Sequence, residues 1–175
     1  MLIFLIGYMA SGKSTVGRML AEELKYRFID LDSEFEKRTG ASVPNYYTQF
    51  GELAFREKER EVLRLHLNDT DSVIATGGGT PSYHDNMVLM NRSGRTIFLD
   101  VPVNILVRRL AGEQSRRPVI KEIPDEELAS FITPHLDSRR KYYDLASMKV
   151  QVINENAEEI VAQLIQRLSR TAPTL

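Results

Sequence analysis

Apolar positions along the chain follow two rhythms. Short apolar-rich runs occur at Leu2–Ile6, Phe28–Asp30, Val73–Ala75, Thr96–Leu99 and Lys149–Ile153, and each is predicted to form a strand. The first is apolar throughout, the pattern of a strand covered on both faces. Between the runs, apolar residues recur every three or four positions. Val16, Leu20 and Leu24 form one such stripe; Ile160, Val161, Leu164, Ile165 and Leu168 form another, so both segments are predicted helices with one buried face. Ser42 can cap a helix ending near Phe50, and Pro102 suits the first turn of a helix directly after a strand. This alternation predicts an α/β fold with a parallel sheet covered by helices on both faces.

Two segments break the alternation. Residues 32–68 hold no convincing strand and are expected to form a helical insertion. Arg108–Lys121 carries Gly112, several charges and Pro118 with neither period; such a segment between helices suits a mobile lid over about residues 109–122, and a plain surface loop equally well. No repeat or low-complexity linker divides the chain, so residues 1–175 are read as one domain.

Composition narrows the function classes. With 42% hydrophobic and 27% charged residues the chain has material for a core, and 23 basic against 24 acidic side chains leave a net charge of -1. That balance argues against broad binding to nucleic acid or anionic membranes. The absence of cysteine excludes disulfides, zinc–thiolate sites and thiol nucleophiles. Leu2–Ile6 is too short for a signal-peptide core and no other run approaches a membrane span, so a cytoplasmic protein is expected. His66, His84 and His135 share no ligand spacing and read as surface or helix residues.

Chemistry is concentrated at the predicted strand ends. Gly7-Tyr8-Met9-Ala10-Ser11-Gly12-Lys13-Ser14 matches G-x-x-x-x-G-K-S between a strand and a helix. In such a loop, backbone N–H groups converge on phosphate oxygens, Lys13 neutralises the β and γ phosphates, and the Ser14 hydroxyl can ligate magnesium. Asp30 and Asp32 follow at the end of the second predicted strand, where they should face the loop's mouth. One can hold magnesium-bound water and the other can accept a proton from an attacking hydroxyl; Asp32 could instead cap the next helix. Gly77-Gly78-Gly79 after the third strand stands where a metal-binding acid is common, and brings bare backbone to a ligand or simply makes a flexible turn.

These motifs, with Arg38-Thr39-Gly40, Phe55-Arg56, Arg117-Pro118 and Arg139 in order, resemble the shikimate kinase family, a nucleoside-monophosphate-kinase-like group. The resemblance implies a three-layer P-loop kinase fold with a five-stranded parallel sheet. It implies Mg2+-assisted transfer of the γ-phosphate of ATP to the 3-hydroxyl of shikimate, giving shikimate 3-phosphate and ADP for aromatic amino acid biosynthesis. Motif by motif, ATP binding falls to Gly7, Ala10, Ser11, Gly12, Lys13, Ser14 and Thr15, with Arg109 beside adenine and Arg117 closing from the lid. Arg56 and Arg139 match the forks that hold the shikimate carboxylate, Glu59 could steady Arg56, and Gly77, Gly78 and Gly79 match its backbone contacts. Asp32 matches the acid at the ring hydroxyls, and Asp30 with Ser14 the metal side. Lys13, Asp32 and Arg117 are then the catalytic set of a protein expected to be monomeric.

Read without the resemblance, Arg56 belongs to a solvated Arg-Glu-Lys-Glu-Arg-Glu helix face, and Arg139-Arg140-Lys141 is an ordinary basic surface cluster. The sequence also departs from the family. Ala10 replaces a frequent glycine and is expected to be tolerated at negative φ, Thr80-Pro81 follow the glycines, and Tyr142 stands where an aliphatic residue is usual. Asn154-Glu155-Asn156 carries no basic contact for adenine. A gluconate or nucleoside-monophosphate kinase is one competing reading, and should lack the combined Arg56, Gly77–Gly79 and Arg139 pocket; a nucleotide-binding regulatory module is the other, and has no need of Asp32 and Arg117 at an acceptor site.

Overall fold

The structure, a computed structural model, describes residues 1–112 and 118–170. Five strands, β1 (Leu2–Ile6), β2 (Arg27–Asp30), β3 (Ser72–Ala75), β4 (Arg95–Asp100) and β5 (Met148–Gln151), form one parallel sheet in the order β2-β3-β1-β4-β5. Burial follows this order. β1 and β3 are buried at every position, whereas each edge strand buries a single residue, Ile29 in β2 and Val150 in β5. That is why the last predicted run carries Lys149 and Gln151 among its apolar residues. It pairs only to Gln151, with Val152 N–H adding one bond to Asp100 O, so the run predicted to Ile153 ends early.

Seven helices flank the sheet among the described residues: α1 (Lys13–Leu24), α2 (Leu31–Thr39), α3 (Val43–Leu65), α4 (Asn86–Ser93), α5 (Val103–Leu110), α6 (Leu128–Tyr143) and α7 (Ala157–Arg170). α1 packs on α7 and α5 on α6, with Val16, Leu20 and Leu164 among the side chains removed from water. No described helix is long and apolar enough to cross a membrane.

The helix capped by Ser42 ends near Phe50 as expected: Gly51 (φ 79, ψ 173) is non-helical, a backbone that glycine takes readily, and a second helical run follows across this kink to Leu65. Two local expectations need correction. Arg108 and Arg109 lie in the last turn of α5 rather than in an irregular lid, since Ile105, Leu106 and Leu110 give that helix a buried stripe. Asp32 is not a strand-end residue: β2 stops at Asp30, which caps α2, and Asp32 sits in the first turn of that helix. Arg116 and Arg117 lie outside the described residues. Beyond them a 3-10 turn at Pro118–Ile120 buries Ile120 completely.

From β1 the chain runs to β2, and from β3 it crosses back to β4 on the other side of β1. β1 and β3 are thus neighbours whose connections diverge, and their carboxyl ends open a crevice between the phosphate loop and the triple glycine.

Candidate active site

The loop after β1 curls tightly around its own lysine. Gly7 takes φ +146, and a Cβ there would meet Leu99 O at 2.9 Å. Gly12 (φ +95) turns the chain into α1. Lys13 donates to Gly7 O at 2.9 Å, Tyr8 O at 2.8 Å and Ser11 Oγ at 3.4 Å, so neutral oxygens hold its ammonium across the loop. Ala10, expected at negative φ, has φ +60. The tight curl forces it into the left-handed region, and its carbonyl accepts from Arg109 Nη1 at 3.0 Å.

Asp30 joins two functions. Its Oδ1 accepts from the Asp32 and Ser33 backbone N–H groups at 3.1 and 3.3 Å, which makes it the cap that Asp32 was a candidate to be. Its Oδ2 accepts from the Ser14 hydroxyl at 2.6 Å. A hydroxyl and a carboxylate side by side at the loop are hard oxygen donors that fit magnesium. Asp32 projects into the cleft, where solvent reaches it. Its carboxyl is pushed up to about 6, first by the water displaced by the surrounding walls, then by the Glu59 and Asp30 carboxylates with Glu36 behind, against the pull of Lys13. At neutral pH most copies are ionised and able to take a proton.

The second half of α3 turns Arg56 and Glu59 inward, and both are buried, at 5% and 3% exposure. This overturns the solvated-face reading of Arg56. Arg56 Nη1 donates to Glu59 Oε2 at 2.9 Å, while Glu59 Oε1 accepts from Thr80 Oγ1 at 2.7 Å. The Tyr83 ring covers the guanidinium at 4.2 Å, and Glu52 lies 3.5 Å from Nη2. Arg139, from α6, is buried likewise at 8% exposure. Tyr143, whose phenol burial pushes up to about 12, donates to Gly78 O at 2.6 Å and so fixes the triple glycine from the same helix. Two cavities result. One of about 490 Å³ is lined by the phosphate loop from Met9 to Thr15, Asp30, Arg109 and Glu155–Ala157. The other, about 230 Å³, is lined by Arg56, Glu59, Gly77–Gly79 and Arg139, and the two share Met9, Asp32 and Gly78.

A family model described as shikimate kinase matches residues 9–169. The chain belongs to the shikimate kinase family. It is 43% identical over 144 residues to a shikimate kinase of Bacteroides thetaiotaomicron, covering 82% of each chain, and 34% identical over 168 residues to one of a Sulfurihydrogenibium species, covering 96% and 98%. Among solved structures, shikimate kinase from Bacteroides thetaiotaomicron superposes with a TM-score of 0.87 at 39% identity over 97% of this chain and 96% of that one. The Acinetobacter baumannii enzyme, solved in complex with shikimate, gives 0.92 at 29% identity over 99% and 95%.

Within this shikimate kinase fold, nearly all the residues singled out from the sequence meet in one crevice. Ser11, Lys13, Ser14, Thr15, Asp30, Asp32 and Arg109 border the larger cavity; Arg56, Glu59, Gly77, Gly79 and Arg139 border the smaller. Gly7 underlies the loop without lining either. Sequence reasoning passed over Glu36, which lines the smaller cavity and accepts from the Val43 N–H at 2.9 Å, and assigned nothing to Glu155–Ala157. No spacing signals these, because Glu36 on α2 and the run leading into α7 reach the cavities only through tertiary packing. Thr80, noted only as a departure, is the buried partner of Glu59.

Proposed function

We propose that the larger cavity holds ATP, the smaller holds shikimate, and Asp32 works where they meet. The chain is thereby an ATP-dependent kinase that phosphorylates the 3-hydroxyl of shikimate on the route to chorismate and aromatic amino acids. The observation that carries this reading is the shared border: two buried guanidinium groups flank the small cavity, the phosphate loop lines the large one, and Asp32 touches both. A small polyol carboxylate needs cations at one end and an acceptor at the other, and this pocket offers both.

Arg56 and Arg139 take the carboxylate. Glu59, itself locked by Thr80, holds Arg56 in place through Nη1. Gly78 and Gly79 meet the ring with their backbone, and Asp32 orients the hydroxyl and receives its proton. On the donor side the loop N–H groups and Lys13 hold the phosphates and offset charge as it spreads in transfer. Ser14 and Asp30 would hold Mg2+, which supplies charge neutralisation between the phosphates when bound. Arg117, from the segment that follows α5 in a single kinase domain, is assigned to close over the transferring phosphoryl group, and Arg109, in the last turn of α5, to pack at the nucleotide. The enzyme is proposed to act as a cytoplasmic monomer without nucleic-acid or membrane partners.

ADP release measured with shikimate, gluconate, AMP and CMP tests the reading. Turnover with shikimate alone is expected. Preference for gluconate or a nucleotide would overturn it, as would normal turnover by a folded Asp32→Asn variant.

A further inference from the structure

The phosphate loop reaches the helix that carries Arg139 through one side-chain bridge that neither cavity includes. Tyr8, between Gly7 and Met9, is 1% exposed. Its hydroxyl lies 2.7 Å from His135 Nδ1, and the two rings meet edge to face with centroids 5.5 Å apart. Arg139 stands one turn further along α6, its guanidinium 5.8 Å from the centre of the Tyr8 ring. Meanwhile the Tyr8 backbone carbonyl accepts from Lys13 Nζ at 2.8 Å. A single residue therefore touches the phosphate-binding lysine with its main chain and the Arg139 helix with its side chain.

The direction of the bridge follows from protonation. Burial, then the Arg139 charge, hold His135 down to about 4, so the ring is neutral at working pH. Burial keeps the Tyr8 phenol protonated. Among the described residues that hydroxyl has no other hydrogen-bond partner. A buried O–H is costly to leave unpaired, which assigns it as the donor to Nδ1 and puts the imidazole proton on Nε2. His135, Arg139 and Tyr143 recur every four residues on one helix face, and Tyr143 ties the next turn to Gly78. Arg139 thus lies between two tethers, one to the phosphate loop and one to the glycine run.

We propose that the Tyr8–His135 bridge sets the position of Arg139 relative to the phosphate loop, so that the ends of the two substrates are held at a constant separation. Tyr8 and His135 are positioning residues; neither touches substrate. The inference rests on Arg139 holding the shikimate carboxylate.

Steady-state kinetics with both substrates varied, on the full chain, decides it. Tyr8→Phe keeps the buried ring and removes only the hydroxyl; His135→Leu removes the acceptor; the double variant leaves no polar group unpaired and guards against a folding artefact. Each single change is expected to raise the KM for shikimate about five-fold, the scale of one buried hydrogen bond, with the KM for ATP within about twofold. The double variant should be no worse than the worse single one, and His135→Gln, which restores an acceptor, should recover most of the loss. A merely structural role would lower the melting temperature and leave the KM for shikimate unmoved; that result, or additive effects, overturns the proposal. Arg139→Ala in the same assay separates the two levels. If it leaves the KM for shikimate unchanged, the carboxylate assignment falls and the bridge proposal with it. If it raises that KM while the bridge variants do not, only the bridge proposal falls.

Discussion

At Gly79 the missing side chain is what admits Arg56. A Cβ there would lie 2.6 and 2.7 Å from the two Nη atoms of Arg56, whose Nη1 is already committed to Glu59 at 2.9 Å. Gly79→Ala should therefore displace the guanidinium, raising the KM for shikimate at least tenfold while ATP binding, measured by calorimetry, stays near the parent value. Ala10 shows the opposite situation, a side chain where its absence would be easier. In the left-handed region an L residue other than glycine costs roughly 1–2 kcal/mol, part of which glycine returns as unfolded-state entropy. Ala10→Gly should then stabilise the folded chain by about 0.5–1 kcal/mol in denaturant titration. A loss of stability would show that the Arg109 contact to the Ala10 carbonyl depends on the present geometry.

The element that joins fold to chemistry is the β2–α2 junction. Asp30 ends the strand, caps the helix with one oxygen and receives Ser14 with the other. The cap and the proposed metal role can be separated by substitution. Asparagine caps as well as aspartate, whereas removing the cap costs about 1 kcal/mol. Asp30→Asn is expected to melt near the parent temperature yet need several-fold more magnesium for half-maximal turnover. Asp30→Ala should lose both stability and magnesium response. Equal magnesium requirements for all three proteins would leave Asp30 with its capping role alone. α3 makes a related point: the bend at Gly51 redirects the helix so that its second half turns Arg56 and Glu59 into the pocket.

Across the whole molecule, α6 packs on α5 and reaches the phosphate loop through His135 and the glycine run through Tyr143, so His135 reports on that packing. Burial, Arg139 and Arg56 lower its pKa, Glu52 opposes them, and the Tyr8 hydroxyl uses its neutral form. With a folded value of about 4 against an ordinary 6.5, the unfolded chain takes up the proton first on acidification. Stability from this group is complete above about pH 6.5 and declines as pH falls towards 4. The drop in melting temperature between pH 7 and pH 4.5 should be smaller for His135→Leu than for the parent; equal drops would mean that His135 titrates normally. Only the assembled fold discloses this, since His135 in sequence is one unremarkable helix residue. The same division runs through the site. The phosphate loop, the strand runs and the glycine triplet were legible because each is a contiguous stretch whose geometry is set by its own residues. The burial of Arg56 was not, because Arg-Glu-Lys-Glu-Arg-Glu is polar by every local measure, and the Thr80 and Tyr83 contacts that enclose it come from more than twenty positions further on. The sequence alone thus determined which chemistry the chain carries and the parallel layers that bear it. Which charges are desolvated, and how far the arginines stand from the lysine, were decided by tertiary packing, because solvent exclusion belongs to surfaces that meet only after folding.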